Sequence, residues 1–218
     1  MAFHINFDEL NRRYAKEHGD DLRSMPYDQF FGEMDLSEEQ KEKREKTARE
    51  IEQFIILALA SMYYLEEAGS YDYGPVMNDI SRNYSALLAR LGVSLTAFFE
   101  ASHSDSVAAE IVTATMNHPD DPYFYSEDRA MLIAENEANS IYNDSEYQDA
   151  ILTGKTRKVW HAIMDNRTRE THRDVNGTDL PIDVPFEVGE SLMQFCRDLS
   201  LGAGPEEIVN CRCTTLYY

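Results

Sequence analysis

Long apolar runs and basic side chains are both scarce in this 218-residue sequence. Its longest apolar stretch, Phe54–Leu65, falls well short of the roughly 20 residues that a membrane helix needs. Residues Met1–Phe7 lack the positive cluster and apolar core of a secretory signal. We therefore expect neither export nor membrane insertion, and a soluble, intracellular protein.

The sequence has 20 Lys and Arg residues against 40 Asp and Glu residues, which gives a formal net charge of −20. Residues 151–218 contain eight basic and ten acidic side chains, so the first 150 residues carry −18 of this charge. Such a surface repels phosphate backbones within a Debye length of roughly 8 to 10 Å. We expect no direct nucleic-acid binding by residues 1–150. Solubility explains the acidity more simply than a specific basic partner or an acidic decoy that imitates DNA.

Cysteine is rare as well, with three residues that all lie in the last quarter of the chain: Cys196, Cys211 and Cys213. An odd number in this position makes a disulfide scaffold a poor explanation. The sequence also lacks a Gly-rich phosphate loop, an H-E-x-x-H motif and a G-x-S-x-G elbow. These absences disfavour the common nucleotide-binding, metalloprotease and serine hydrolase classes.

Residues 1–125 are predicted to form an acidic helical region. Ser37 and Gln40 make a capping box that starts a long helix, and Gly69 ends it. Its apolar stripe consists of Ile51, Phe54, Ile55, Ala58, Met62 and Leu65. The charged first part, Glu38–Glu50, is expected to be a solvated arm.

Shorter helices are predicted to follow. The expected segments are Pro75–Leu91 ended by Gly92, Leu95–Ala101, Ser106–Met116, and a helix that Ser126 starts and a loop near Asp144 and Ser145 ends. The first three belong to the helical region, and the fourth opens the C-terminal module.

After Gly154 the apolar period changes from that of a helix to that of a strand. One face of the predicted strand buries Trp160, and the other presents His161 and Asp165. The dipeptide Asn176-Gly177 favours a β-hairpin. Residues 126–218 are therefore predicted to form a small, loop-rich α+β module with short antiparallel strands.

The chemically reactive residues lie in this module. Cys211 and Cys213 are two positions apart, so an extended segment presents both sulfurs on one side. With His172 they form a ligand set suited to zinc, and Asp165, His161 or Cys196 are candidates for a fourth ligand. The alternative is that these cysteines are small buried hydrophobic residues that need no metal.

Two further interpretations of this module concern charge and catalysis. Asp165, Arg167 and Arg169 are most simply ion pairs and carbonyl donors that hold a loop-rich fold together. A thiol hydrolase is disfavoured because both thiols of the Cys211 and Cys213 pair lie near the end of the sequence rather than at a helix start.

Several ordered landmarks resemble one family over about residues 126–218. They are the stretch Trp160–His172, Asn176-Gly177, Asp198, Gly202, Pro205-Glu206-Glu207 and Asn210–Cys213, preceded by a helix with Ile133-Ala134, Glu137 and Asn143. This pattern is similar to the phage Mu protein F-like minor head family. The family pattern falls on Trp160, Asp165, Arg167, Arg169, His172, Gly177, Asn210, Cys211 and Cys213. Cys196 departs from it, since proline or glycine is more usual there.

The resemblance implies a minor capsid component of a tailed phage or prophage that acts in head morphogenesis. It also implies a place in the virion, and in the host cytoplasm during assembly, with the portal protein or inner capsid as partner. A non-enzymatic protein without a membrane or small-molecule substrate is expected, and the ligand set of His172, Cys211 and Cys213 makes zinc its candidate cofactor.

The alternative hypothesis is a metal-dependent enzyme, or a toxin-associated module, that uses His172, Cys211 and Cys213. The similar domain also occurs at the front of some bacterial toxins. Because five residues follow Cys213, we expect no toxin domain behind it.

Overall fold

The computed structural model describes residues 26–218, of which 59% are helical. They divide into two compact units. Within this range, unit 1 comprises Thr47–Gly92 and Ser102–Ala134, and unit 2 comprises Pro26–Lys46, Val93–Ala101 and Glu135–Tyr218. None of the helices in residues 26–218 is long and apolar enough to cross a membrane. The prediction about Met1–Phe7 lies outside the described residues.

A helical first part and short antiparallel strands in the C-terminal part confirm the predicted α+β class. The helices are α1 Tyr27–Gly32, α2 Glu38–Glu67, α3 Gly74–Leu91, α4 Ala97–Met116, α5 Glu127–Leu152, α6 Glu170–Val175 and α7 Pro205–Ile208, with a 3-10 turn at Pro122–Tyr125. The strands are β1 Arg157–His161, β2 Asp179–Pro181, β3 Phe186–Val188, β4 Ser191–Met193 and β5 Thr214–Tyr217. Unit 2 combines Glu135–Tyr218 with two earlier segments, so the two units do not follow one another along the chain. The predicted domain boundary at residue 126 therefore stays a prediction.

The local signals for helix ends are confirmed. At the start of α2, the backbone N–H of Ser37 donates to Gln40 Oε1 at 3.0 Å and the N–H of Gln40 donates to Ser37 Oγ at 3.3 Å. Ser126 caps α5 by accepting from the Arg129 N–H at 3.1 Å. Gly92 ends α3 with a left-handed backbone, φ 61°.

Two predicted helix boundaries are wrong. Residues 97–101 of the first predicted segment and the whole of Ser106–Met116 belong to one continuous helix, α4, which has neither Gly nor Pro to interrupt it. The predicted loop near Asp144 and Ser145 lies within α5, where both residues are buried. Asp144 tolerates burial because its carboxylate accepts from the N–H and hydroxyl of Thr96 at 2.8 and 2.6 Å.

The prediction that Glu38–Glu50 is a solvated arm holds for its exposed charged residues, such as Glu39 and Lys43, but is wrong for its inner face. Arg44 in this stretch is fully buried. Its guanidinium donates to the Glu146 carboxylate at 3.0 Å and to Asn139 Oδ1 at 3.2 Å. Hydrogen-bond partners about 100 positions away therefore stabilise this charged side chain in the interior. Helical periodicity does not reveal partners so distant in sequence.

The strands of unit 2 form two small antiparallel sheets. The first has the order β2-β1-β5, with Trp160 opposite Thr215, and the second is the β3-β4 hairpin. Trp160 is fully buried, as predicted, and Lys158 is buried on the same face of β1. The first sheet therefore places the chain segment before β5 beside the end of β1.

Asn176-Gly177 does not form the predicted hairpin. It connects α6 to β2, and the Gly177 N–H donates to the carbonyl of Trp160 at 2.8 Å. The side-chain oxygen of Asn176 accepts from the Ala162 N–H, also at 2.8 Å. Asn-Gly favours any tight turn with positive φ. The dipeptide therefore identified the turn, but not that a helix, α6, would precede it in place of a strand.

Replacing Gly177 by alanine is expected to destabilise unit 2 by about 1 kcal/mol, because φ is +77° and a Cβ there meets no atom within 4 Å. The cost is therefore purely conformational. Urea unfolding followed by Trp160 fluorescence measures it. Gly32→Ala is the matched control: Gly32 lies in α1 with open space around it and without a positive φ, so no loss is expected there. Equal effects of the two substitutions would contradict the backbone explanation.

Candidate metal centre

His172 lies on the short helix α6 between β1 and β2. Its ring packs edge-on against the buried indole of Trp160, with ring centroids 5.5 Å apart at an angle of 86°. The turn at Asn176-Gly177 holds the end of α6 to β1 through two backbone-directed hydrogen bonds. The imidazole is therefore fixed in position by the sheet.

Cys211 and Cys213 lie on the segment that leads into β5. The preceding residue, Asn210, has a left-handed backbone with φ 57°, which turns the chain after α7. Pairing of β5 with β1 then brings both sulfurs to His172. The two cysteines reach the imidazole from about 40 positions along the sequence.

The three side chains converge as the sequence predicted. His172 Nδ1 is 3.3 Å from Cys213 Sγ and 3.6 Å from Cys211 Sγ. All three ligand atoms lie within 4.8 Å of one another. The residues are 1, 2 and 3% exposed for His172, Cys211 and Cys213. This is the metal-ligand cluster that residues 26–218 contain.

A carboxylate that sequence reasoning did not assign to the site completes it. Glu207, a buried residue of α7, places Oε2 2.9 Å from His172 Nε2 and accepts from the Thr171 hydroxyl at 2.8 Å. A carboxylate accepts a hydrogen bond from Nε2–H, so we assign the proton to Nε2 and the lone pair to Nδ1, which faces the sulfurs. The Pro205-Glu206-Glu207 landmark was the signal for it, but nothing local indicated which partner the carboxylate would meet.

The protonation equilibria of the cluster are coupled. A hydrogen bond with Cys213 and burial hold the pKa of Cys211 well above its usual range. A hydrogen bond with Cys196, together with burial, raises the pKa of Cys213. Burial disfavours charge on His172, but hydrogen bonding and charge at Cys211 outweigh it and raise the His172 pKa.

Asp165 lies outside the converged group. Burial opposes its ionisation, but hydrogen bonds from Arg212, the Arg167 backbone and Thr168 lower the pKa of Asp165 to about 2. Arg212 donates to Asp165 at 2.6 Å and to Glu33 at 2.5 Å, and Arg167 also donates to Glu33 at 2.5 Å. These are ion pairs of the kind that the sequence predicted.

The other predicted residues have separate surroundings. Arg169 donates to the carbonyl of Val209, which is the predicted carbonyl-donor role. His161 lies 3.5 Å from Asp35, away from the cluster. The Cys196 sulfur accepts from the Thr215 hydroxyl at 3.4 Å and does not join the three ligand atoms. Glu137 is a half-buried residue of α5.

A row of asparagines on α5 holds the loops that carry the cysteines. Asn139 Nδ2 donates to the Cys211 carbonyl at 3.2 Å, and Asn143 Nδ2 donates to the Cys196 carbonyl at 3.1 Å. Asn136 exchanges two hydrogen bonds with Asn210, at 2.8 and 3.0 Å. These three positions share one helix face, because they are three and four residues apart. Of the three, Asn143 is among the landmarks that resemble the family in sequence.

Two cavities differ in what lines them. One of about 20 Å³ is lined by the three cluster residues together with Ile163, Arg167, Thr168, Arg169, Asn210 and Arg212. The other, in unit 1, measures about 330 Å³ and is lined by Tyr63, Glu66, Glu67, Pro119, Asp120, Pro122 and Tyr125. The larger cavity contains neither a thiol nor an imidazole, so the cluster takes no part in it.

The two thiols and the imidazole form a buried cluster inside a loop-rich α+β unit. Residues 95–216 match the family described as Phage Mu protein F like protein, and the chain belongs to that family. The family indicates a protein of phage head morphogenesis. The match begins before residue 126, in the segment where Thr96 bonds to Asp144.

A curated relative shares part of this region. The NAD(+)--arginine ADP-ribosyltransferase EFV of Enterococcus faecalis (strain ATCC 700802 / V583) is 32% identical over 92 residues. The aligned part is 40% of this chain and 18% of the relative. The activity in its name is therefore that of a much longer protein. No solved structure matches the chain.

Proposed function

We propose that this protein is a minor component of the head of a tailed phage or prophage, incorporated at or near the portal while the head assembles. The observation that carries the proposal is the family match over residues 95–216. On this proposal the chain is made in the host cytoplasm and ends in the virion.

The buried cluster supports a structural role for unit 2. His172, Cys211 and Cys213 are almost inaccessible, and their cavity of about 20 Å³ is of the size that one water molecule needs. Small-molecule sites measure roughly 300 to 1,000 Å³. The cluster therefore has no room for a substrate, which favours a role in holding the module together.

The charge distribution supports protein contacts by the acidic part of the chain. The first 150 residues carry −18 of the net charge of −20. A surface of one sign speeds association with a partner of opposite sign and disfavours contact with packaged DNA. We propose that the acidic helices contact basic surfaces of the portal or inner capsid.

The experiment is to quantify this chain in purified heads of the phage or prophage that encodes it. We expect it at low copy number relative to the major capsid protein, in fractions that also contain the portal. Abundant host proteins measured in the same fractions report contamination. The virion assignment would be refuted if the chain is abundant in infected cells but its amount in purified heads does not exceed that of the contaminating host proteins.

The portal contact needs a separate measurement. Co-expression of the full chain with the portal protein encoded near it should yield a complex on size-exclusion chromatography. Association should weaken with rising salt, because the proposed contact is electrostatic. Heads that contain the chain while the purified portal and chain do not associate would retain the virion role and exclude the portal as direct partner.

A further inference from the structure

The nitrogen-to-sulfur distances within the cluster match those of a tetrahedral zinc site. Bonds of about 2.3 Å to sulfur and about 2.05 Å to nitrogen at a tetrahedral angle separate nitrogen and sulfur by about 3.6 Å. The observed Nδ1 to Sγ distances are 3.3 Å for Cys213 and 3.6 Å for Cys211. Both distances therefore lie within a few tenths of an ångström of the tetrahedral separation.

The surroundings of His172 are those of a metal ligand. Metal-bound histidines commonly donate their second ring N–H to a carboxylate, which fixes the tautomer and the ring orientation. Glu207 accepts from Nε2 at 2.9 Å and is itself held by Thr171 at 2.8 Å, so Nδ1 presents its lone pair to the sulfurs. The Glu207 carboxylate thus fixes the orientation of the His172 ring.

The charge balance also suits a divalent ion. Two thiolates neutralise Zn²⁺, so the filled site carries no net charge in the interior. The nearby guanidinium groups of Arg167 and Arg212 are already paired with Glu33 and Asp165.

The fourth coordination position faces the small cavity. That cavity is lined by all three ligands, and its volume of about 20 Å³ accommodates one water molecule. Cys196 does not line it; its sulfur accepts from the Thr215 hydroxyl and lies beside Cys213. Asp165 and His161 are engaged with Arg212 and Asp35.

We propose that the protein binds one Zn²⁺ ion through Nδ1 of His172 and the sulfurs of Cys211 and Cys213, with a water molecule as fourth ligand and Glu207 as the positioning carboxylate. The ion joins α6 to the segment before β5. This proposal does not depend on the role in the phage head.

The test is elemental analysis of the full chain purified without a metal-binding tag, followed by refolding from chelator with Zn²⁺ or Co²⁺. We expect about one zinc per chain, and with Co²⁺ a thiolate-to-cobalt charge-transfer band and ligand-field bands of tetrahedral intensity. Wild-type protein that folds in excess Zn²⁺, as judged by Trp160 fluorescence, yet contains no zinc would overturn the proposal. So would cobalt binding without the charge-transfer band.

Variants assign the ligands. Cys211→Ser and Cys213→Ser should lose the zinc, whereas Cys196→Ser should keep it and is the matched control. Glu207→Gln should weaken zinc binding by roughly 10- to 100-fold while keeping the cobalt spectrum at saturation, as expected for a positioning residue. Zinc retained by both Cys211→Ser and Cys213→Ser, or lost from Cys196→Ser, would contradict the assignment. If the cysteine variants do not fold, the cobalt spectrum of the wild type decides the question.

Discussion

Replacing Arg44 by alanine is expected to destabilise unit 2 by about 3 kcal/mol, although Arg44 stands in a sequence stretch that is typical of solvated helices. The buried guanidinium donates to both oxygens of Glu146 at 3.0 Å and to Asn139 Oδ1 at 3.2 Å. Its loss leaves the buried Asn139 oxygen without this donor and opens a cavity beside it. Because the Glu146 side chain is 23% exposed and water reaches it, we expect the lower end of the range for broken buried ion pairs.

Urea unfolding followed by Trp160 fluorescence measures this loss, because the single tryptophan of the sequence is buried in unit 2. Lys43→Ala is the control. Lys43 pairs with Glu39 at 2.8 Å on the same helix but is exposed, and its removal should leave the unfolding midpoint unchanged. Equal midpoints for the wild type and Arg44→Ala would show that Glu146 and Asn139 find other partners.

Local structure was predictable where the controlling interaction is short-range. The caps at Ser37, Gly92 and Ser126, and the buried face of β1, all follow from contacts within a few residues or from an alternating pattern. Each was read correctly because the deciding contact is already contained in a short window of sequence.

The errors share a different cause. Arg44 and Asp144 were treated as solvated or loop residues because their side chains are polar. Both are buried, and their partners lie 48 to 102 positions away. A pattern of polarity along one helix does not distinguish water from a distant side chain as the partner of a polar group.

At the candidate site, too, the sequence revealed some residues and not those that depend on distant partners. His172, Cys211 and Cys213 were identified because their atom types suit one ion, and the two cysteines share a side of an extended segment. Glu207 and the asparagines Asn136 and Asn139 were missed, since hydrogen-bonding side chains of this kind occur throughout the sequence. Only the folded chain selects the ones that orient the imidazole and hold the cysteine loops.

Glu135 is expected to make unit 2 less stable as pH rises through the neutral range. Burial raises its pKa to about 8 from an ordinary value of 4.5, against the opposing charges of Arg197, Arg167 and Arg212. Oε2 has no hydrogen-bond partner within residues 26–218. The buried carboxyl is therefore held in its neutral form in the folded state, whereas the unfolded chain ionises it freely.

The sign of the effect follows from proton release. Below about pH 4.5 both states are protonated at Glu135, and the folded state bears no cost. Between pH 4.5 and 8 only the unfolded chain loses the proton, so each rise in pH favours unfolding, until the folded state also ionises at about pH 8. Glu135→Gln has no such proton. Relative to the wild type it should gain stability over this window, reaching on the order of 5 kcal/mol at pH 9.

Urea unfolding of both proteins at several values between pH 4 and 9, again followed by Trp160 fluorescence, measures the difference. The comparison matters because Lys158 acts in the opposite direction: burial lowers its pKa to about 8 from an ordinary value of 10.5, so stability is lost as pH falls from about 10.5 to about 8 and stays constant below that. Lys158 and the cysteine cluster are common to both proteins and cancel in the difference. Unfolding midpoints that run parallel across the whole range would show that Glu135 is ionised in the folded state and stabilised by the surrounding arginines.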